Sequence, residues 1–171
     1  GELYQMGILA MAIANTKQPS RIVQCGPLAG DNYKTILEDV VDYLAYAQED
    51  RQETGCASWV GGWRYYADYC SSDNSAAQWP VLGLAAAAQA PWAISPPAFV
   101  KALLPNWLAN SQNSNGAFGY TSAWEWLNVA KTGAGVIQLS YAGLGATPAM
   151  TNALTFLGDN WCVPYSYDGN L

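Results

Sequence analysis

The sequence predicts an all-α fold arranged as three helical hairpins, and three observations support this prediction. A glycine-aromatic phrase occurs twice, fifty-five positions apart, at residues 61–65 and 116–120. An apolar segment with helical spacing follows each copy, at residues 78–84 and 133–139. A partial third copy of that apolar segment occupies residues 5–11. Self-similarity of this kind is the signature of a repeat array, in which each hairpin buries its apolar face against its neighbours.

The helices are expected to alternate between two types. Three segments are apolar nearly all round and contain small residues, so they are predicted to be well-buried inner helices. They include residues 5–11, 78–84 and 133–139. The segments between them are amphipathic and are predicted to be outer helices. These cover residues 33–51, 96–113 and 149–161, and Pro105 is expected to kink the second of them.

Composition describes a folded chain with little charge. Of its 171 residues, 51% are hydrophobic and 12% are charged, whereas folded domains usually carry about 25% charged residues. The net charge of −6 without a basic cluster argues against nucleic acid as a partner. There is no histidine, the commonest general base and zinc ligand, so no metal and no cofactor are predicted. No apolar run is long enough to span a bilayer, and no transmembrane segment is predicted.

The four cysteines can be sorted by the end of the hairpins at which they fall. Alternating helix directions place Cys56, Cys70 and Cys162 at the end that carries the glycine-aromatic phrases, and Cys25 at the other end. A bond between Cys25 and Cys162 would have to cross the length of the helices, beyond disulfide reach. The predicted bridge is therefore Cys56–Cys70, which would stabilise the fold by about 3 kcal/mol. Free thiols in a cytoplasmic protein are the alternative, but few lysines and low charge favour an extracellular or periplasmic protein.

The glycine-aromatic phrases resemble a known repeat. Gln112, Gly116 and Phe118 have the Gln-x3-Gly-x-aromatic spacing of the repeat in squalene and hopene cyclases. The series Gly-Gly-Trp-Arg-Tyr from Gly61, then Asp73, then Gln-x2-Val-Leu-x-Leu is similar to the prenyltransferase and squalene-oxidase repeat. The resemblance implies an α/α-toroid, a barrel of inner and outer helices. A complete toroid has about twice as many hairpins, so residues 1–171 are expected to be a single repeat domain forming half a ring of a longer chain or an assembly.

The resemblance also implies roles for individual residues. In that family the glutamine ties a helix end to the neighbouring turn and the aromatic residue packs on the backbone, which is structural work. The residues expected to act in this way are Gln48, Gly62, Gln112, Gly116 and Phe118. Trp63 fits the same structural role and is also kept as a weak binding candidate.

The catalytic residues known on this fold are missing from the sequence. Terpenoid cyclases of this class protonate an alkene with an Asp-x-Asp-Asp motif, and protein prenyltransferases bind zinc with Asp, Cys and His; neither set occurs here. The remaining binding candidates each have a structural alternative. Arg64 and Tyr65 are expected either to contact a ligand or to stack as a structural pair. Asp73 is expected either to bind a ligand or to cap a helix. Lys131 is expected to act either as a base or as a charge at the rim. Asp68 and Asp168 would lie at a cavity mouth.

Three functions remain open. The preferred prediction is a non-catalytic module, with a binding or structural role, whose partner is the rest of the toroid or a second copy. The first alternative is half of a cyclase-like enzyme, with the acidic motif outside this chain. The second is a module that binds a glycan, a lipid or an isoprenoid through exposed rings at the phrase end. The rings concerned are Trp59, Tyr66, Tyr69, Trp124 and Trp126.

Overall fold

The regular structure is helical throughout the part of the chain that is described. A computed structural model describes residues 2–53 and 55–161, and confirms the predicted all-α class within these ranges. The α-helices are α1 Leu3–Asn15, α2 Tyr33–Tyr46, α3 Asn74–Ala87, α4 Ala98–Ser111, α5 Val129–Tyr141 and α6 Pro148–Asn160. One short 3-10 helix, Ala57–Trp59, lies between α2 and α3. Among the described residues, none of the helices has the length and apolarity to cross a membrane.

Helices α1, α3 and α5 form a row, in which α3 packs between the other two. Helix α2 contacts α1 and α3, whereas α4 and α6 both contact α5. Glycines bring α1 and α3 close together, because a Cβ on Gly7 would overlap the backbone of Trp79, and Gly83 lies directly against Gly7. The small residues of the apolar segments therefore permit close helix approach and dense packing between them.

The row is also joined by backbone hydrogen bonds at one end. The Leu3 amide, the first of α1, donates to the Tyr65 carbonyl at 2.8 Å. The Asn74 amide, the first of α3, donates in the same way to the Tyr120 carbonyl at 3.0 Å. Each helix start thus contacts the turn that precedes the next helix of the row. Because the first amides of a helix have no partner within it, these bonds satisfy groups that would otherwise be unpaired.

Polar side chains cap three of the helices. Asn32, Asp73 and Asn128 accept hydrogen bonds from backbone amides in the first turns of α2, α3 and α5, at 2.9, 2.8 and 2.9 Å. Pro148 opens α6, where a missing amide costs nothing. Helix α4 runs through Pro105 from Ala98 to Ser111, so the proline does not end it.

Two expectations about the helices are wrong. Helix α2 ends at Tyr46 rather than at residue 51, because the following residues turn away and the Glu49 backbone pairs with Gly61 and Gly62 instead. Helix α1 is not buried all round: Ile8 is 43% exposed and Leu9 is 38% exposed. The reason is that α2 and α3 cover its other faces and leave this one uncovered.

The register between α1 and α3 also differs from the sequence match. The match paired Gln5 with Gln78. When α1 and α3 are aligned on their N-caps, Glu2 and Asp73, Gln5 corresponds to Ala76 instead. The alignment of the two helices therefore moves by two residues. The N-cap is the better guide, because it fixes where the helical hydrogen bonds begin.

Candidate functional site

The first glycine-aromatic turn is joined to two helices by Gln48. This side chain is buried, and its amide nitrogen donates to the Gly61 carbonyl at 2.8 Å and to the Val100 carbonyl at 2.9 Å. Gln48 follows the end of α2, and Val100 lies in the first turn of α4. One amide group therefore links the end of one helix, the turn and the start of another helix.

The second turn is joined through Gln112 in the same manner. Its amide nitrogen donates to the Gly116 carbonyl at 3.2 Å and to the Ala149 carbonyl at 2.8 Å. Gln112 follows α4, and Ala149 lies in the first turn of α6. The two turns thus make corresponding hydrogen bonds with corresponding helix ends.

In both turns the glutamine, its two hydrogen bonds and the glycine that accepts one of them form a joint, and glycine is required there. Gly61 and Gly116 have φ values of +94° and +93°, in the left-handed region that disfavours residues with a Cβ. A Cβ on Gly61 would overlap the carbonyl of Leu103 in α4, and a Cβ on Gly116 would overlap that of Asn152 in α6. Both the backbone angle and the close approach to the next helix exclude a side chain.

The aromatic residues of the two phrases fill the core. Trp63 is fully buried, and its indole nitrogen donates to the Leu44 carbonyl at 2.8 Å. Phe118 is also fully buried and packs against Gly135. A Cβ on Gly62 would overlap the side chain of Ser72, so this glycine too is held by packing. Because no face of Trp63 reaches solvent, the structure places it outside any ligand-binding surface.

Arg64 is at the centre of an aromatic cluster. Its guanidinium carbon lies 5.4 Å from the ring centroid of Tyr65, 5.6 Å from that of Tyr69 and 5.8 Å from that of Tyr120. These distances are within the range of cation–π attraction. A hydrogen bond of 2.7 Å to the Ser71 hydroxyl fixes one end of the guanidinium. Burial opposes the charge of Arg64, but hydrogen bonding to Tyr120 and other attractive contacts raise its pKa, so the group stays cationic.

Asp73 serves both the helix and the cluster. One carboxylate oxygen accepts from the Ala76 amide at 2.8 Å and from the Ser75 hydroxyl at 2.6 Å, and so caps α3. The other oxygen lies 3.4 Å from Nε of Arg64. Since Asp73 is fully buried, this ion pair compensates a carboxylate that would otherwise be costly.

Tyr65 and Tyr120 occupy matching places in the two phrases and meet in space. Their hydroxyl oxygens are 3.0 Å apart, and the ring of Tyr120 stacks on that of Trp126 with centroids 5.4 Å apart. Burial, together with the Tyr65 hydroxyl and the charge of Asp73, raises the pKa of Tyr120 to about 12. Tyr120 therefore keeps its proton near pH 7 and is available for the hydrogen bond with the Tyr65 hydroxyl.

The remaining two candidates lie in different surroundings. Lys131 is buried, with 8% exposure, and its ammonium nitrogen is 6.0 Å from the ring centroid of Tyr120. The prediction that it is a rim charge is wrong, because the first turn of α5 packs inward here. Asp68 is exposed and accepts a hydrogen bond of 3.2 Å from the Tyr46 hydroxyl. The structure therefore gives Asp68 surface partners rather than a place among the rings around Arg64.

A cleft of about 400 Å³ lies beside this cluster. It is lined by Glu2, Tyr4, Tyr65, Ser75, Ala76 and Trp79. Of these only Tyr65 was a candidate from the sequence, because the others come from the N-terminal turns of α1 and α3 and meet only when these helices pack. Within the described residues, no group of three metal-ligating side chains is present.

The walls of the cleft are organised by hydrogen bonds and ring contacts. The Tyr4 and Tyr65 rings are nearly perpendicular, at 79°, with centroids 6.5 Å apart. The Glu2 carboxylate accepts a hydrogen bond of 3.0 Å from the Tyr66 hydroxyl. That carboxylate raises the pKa of Tyr66 and of Tyr4. In each case a side-chain hydrogen bond makes the largest contribution.

The first turn contains a disulfide and a buried ion pair. The predicted Cys56–Cys70 disulfide is confirmed. Arg51 donates to the two Glu49 carboxylate oxygens at 2.8 and 2.6 Å. The sequence did not indicate this pair, because residues 33–51 were predicted to be one continuous helix. Burial opposes the Glu49 charge, but the hydrogen bonds from Arg51 hold the pKa of this carboxyl below its ordinary value.

Of the other two cysteines, Cys25 lies among the described residues. Cys25 is exposed and forms no disulfide among the described residues. Cys162 and Asp168 lie outside the described residues.

Four of the five rings expected at the surface are exposed there. These are Tyr66, Tyr69, Trp124 and Trp126. The fifth, Trp59, is half-buried against the core. The glycine-aromatic end therefore presents a surface that is rich in rings, next to the cleft.

The functional conclusion rests on this geometry, because the comparisons with known proteins give no relative. No family model matches the chain, and neither a curated protein nor a solved structure matches it.

Proposed function

We propose that this chain is a non-catalytic repeat module of the α/α-toroid type that binds a ligand at its glycine-aromatic end. The observation that carries the proposal is the aromatic cluster itself, in which Tyr65 and Tyr120 meet around Arg64 beside a cleft. Clefts lined by rings with a few convergent polar groups are the usual form of small-molecule sites.

The toroid arrangement is supported by the corresponding joints. Helices α1, α3 and α5 would be the inner layer, and α2, α4 and α6 the outer layer. Gln48 and Gln112 join successive outer helices through corresponding hydrogen bonds, as a regular array requires. The prenyltransferase and squalene-oxidase repeat is the family proposed for this pattern.

The completing partner would be the rest of a ring, from a longer chain or from a second copy. Three hairpins leave the two terminal helices of such an array uncovered. Leu9 on α1 and Leu154 on α6 are accordingly exposed, with 38% and 52% exposure. Covering these apolar side chains would favour association.

A binding role suits the acidic groups better than catalysis. Asp73 caps α3 and pairs with Arg64, so both of its carboxylate oxygens are engaged in structural contacts. Glu2 is held by the Tyr66 hydroxyl. With no histidine in the sequence, the chain also lacks the usual partner of a serine or cysteine nucleophile.

Export from the cytoplasm belongs to the same proposal. The Cys56–Cys70 disulfide supports an extracellular or periplasmic location, because disulfides persist mainly in oxidising compartments.

A second candidate function is half of a terpenoid-cyclase-like enzyme, with its acidic motif elsewhere. One observation favours it: the cluster already holds a cation, Arg64, against three tyrosine rings. Similar ring faces stabilise carbocations in such enzymes by the same electrostatic attraction. A full gene without an Asp-rich motif beyond residues 1–171 would end this candidate.

The experiment that tests the non-catalytic assignment of this chain is a turnover assay. The purified chain is incubated with squalene and with geranylgeranyl diphosphate, and the products are analysed by mass spectrometry. We expect both compounds to be recovered unchanged. Formation of a cyclised or hydrolysed product, abolished by Tyr120→Phe, would overturn the non-catalytic assignment.

A further inference from the structure

We propose that the cleft between the N-terminal turns of α1 and α3 binds a neutral saccharide. The inference rests on the proposed binding function and adds the chemical class of the ligand. Its basis is the combination of ring walls, compensated charges and hydrogen-bond acceptors in one cleft.

The walls suit a ligand with flat apolar faces. Tyr4, Tyr65 and Trp79 line the cleft and are each half-buried, so part of every ring remains available. The Tyr4 and Tyr65 rings stand at 79° and enclose a corner rather than a flat surface. The volume of about 400 Å³ lies within the range of small-molecule sites, roughly 300–1,000 Å³. A sugar ring presents C–H groups on its faces and can pack against such walls.

The charges around the cleft disfavour an anion. Among the described residues, its lining includes the carboxylate of Glu2 and no lysine or arginine. Arg64 lies behind Tyr65, where Asp73 and Ser71 already hold its guanidinium. A phosphate or carboxylate ligand would therefore meet a negative group without a cationic partner.

The same arrangement disfavours an organic cation. The guanidinium of Arg64 lies 5.4 Å from the Tyr65 ring centroid and draws on the electron density of that ring. A second cation on Tyr65 would be repelled by Arg64 and attracted less strongly by the ring. The Glu2 carboxylate already accepts a hydrogen bond from Tyr66, which reduces its attraction for a cation without cancelling it. A neutral ligand avoids both penalties.

The polar groups of the cleft offer acceptors for hydroxyl groups. The Ser75 hydroxyl donates its proton to Asp73 at 2.6 Å, so its oxygen remains as an acceptor toward the cleft. The Glu2 carboxylate has further lone pairs beyond those used by Tyr66. A ligand with donors along its edge and apolar faces fits this pattern, and a pyranose has both.

The test is a binding titration of the full chain with a defined panel, by calorimetry and saturation-transfer NMR. The saccharides are maltotriose, cellotriose and triacetylchitotriose. The competing classes are represented by tetramethylammonium chloride, inorganic pyrophosphate and farnesol. We expect saturable binding of at least one saccharide and none of the three competitors.

The variants locate the site. Trp79→Leu and Tyr4→Ala should each weaken saccharide binding at least tenfold, because each removes a ring wall. Ser75→Tyr, at an exposed position, should block the cleft and leave the core intact, which covers the case in which Trp79→Leu fails to fold. Trp161→Leu removes a ring that is 71% exposed and lies outside the cleft, and should leave binding unchanged.

Each contrary outcome has a distinct meaning. Binding of farnesol, tetramethylammonium or pyrophosphate without any saccharide would overturn the saccharide assignment and leave the binding function in place. Saccharide binding that persists in Ser75→Tyr and in folded Trp79→Leu would overturn the assignment to this cleft. If none of the six compounds binds, both the inference and the binding function are overturned.

Discussion

The two glycine-aromatic turns make the same joint with loops of very different length. Gln48 and the glycine it binds, Gly61, are 13 positions apart, whereas Gln112 and Gly116 are 4 positions apart. Both glutamines nevertheless reach their own turn and the start of the next helix. The geometry of the joint is therefore independent of how much chain lies between its parts.

The difference lies in how each loop is closed. The longer loop contains the buried pair of Glu49 and Arg51, and the Cys56–Cys70 disulfide ties it to the segment that follows the turn. The shorter loop uses Asn113, whose side chain donates to the Ala123 carbonyl at 2.8 Å and accepts from the Asn115 amide at 3.1 Å. Since a longer loop costs more entropy to close, a covalent bond is the stronger device where it is needed most.

The largest effect on stability is expected when the glycine of either joint is replaced. Gly61→Ala and Gly116→Ala should each cost about 4 kcal/mol, from a strained backbone angle plus overlap with a helix carbonyl. Urea denaturation followed by circular dichroism measures the loss. Gly26→Ala is the matched control, because Gly26 has φ +81° with open space around it. If the joint variants lose no more stability than this control, the close approach to α4 and α6 is not a determinant of stability.

The second prediction tests how much the disulfide near the longer loop contributes to stability. Replacing Cys56 and Cys70 together by serine should lower the free energy of unfolding by about 3 kcal/mol, as the chain-entropy model gives for a loop of about 15 residues. Guanidinium denaturation with and without reductant measures it. The reductant should destabilise the parent chain and Cys25→Ser equally, and should leave the double variant unaffected. A reductant effect that survives in the double variant would contradict this account.

The third prediction compares the two glutamines. Gln48→Ala should destabilise the fold by about 2 kcal/mol and Gln112→Ala by about 1 kcal/mol, because losing hydrogen bonds costs more at a buried site. Gln48 is 3% exposed, whereas Gln112 is half-buried. Thermal and urea unfolding of both variants test the order, and the reverse order would show that burial does not set the strength of this joint.

The last prediction concerns pH and the contact between the turns. The pKa of Tyr120 rises from its usual value of 10.0 to about 12. The unfolded chain therefore loses this proton at lower pH than the folded chain does. The stabilisation is fully present below pH 10.0, and stability should fall as the pH rises toward about 12.

Tyr120→Phe should make that fall shallower, measured as urea unfolding between these pH values. Tyr141 provides the matched comparison, because burial raises its pKa to about 12 as well. Tyr141→Phe should reduce the pH dependence without affecting the contact between the turns. An unchanged slope in Tyr120→Phe would show that this hydroxyl keeps its proton equally well in both states.

Local patterns in the sequence were sufficient for the helical class and the disulfide. Apolar periodicity indicated the helices, and Cys56 and Cys70 bracket one link between two of them. The end of α2 was misplaced because the residues after Tyr46 still read as helical. Their competing partner, the backbone of Gly61 and Gly62, is distant in sequence.

The site was largely beyond prediction for the same reason. The Tyr65–Tyr120 contact and the burial of Lys131 depend on how α3 and α5 pack. The cleft needs Tyr4 from α1 and Trp79 from α3, and no local pattern relates them. Arg64 was identified as a candidate because an arginine between aromatic residues is a local signal.

The amide-to-carbonyl bonds that join the row also make part of the chain interchangeable. Leu3 and Asn74 donate to the Tyr65 and Tyr120 carbonyls, respectively, so one unit ends where the next begins. Residues 74–128 carry a helix start at one end and a helix cap, Asn128, at the other. For protein engineering they form a cassette: a second copy inserted after Asn128 would meet a partner for each of these backbone bonds. The copy would also need glycine in place of Pro80, the position that corresponds to Gly135 against the Phe118 ring.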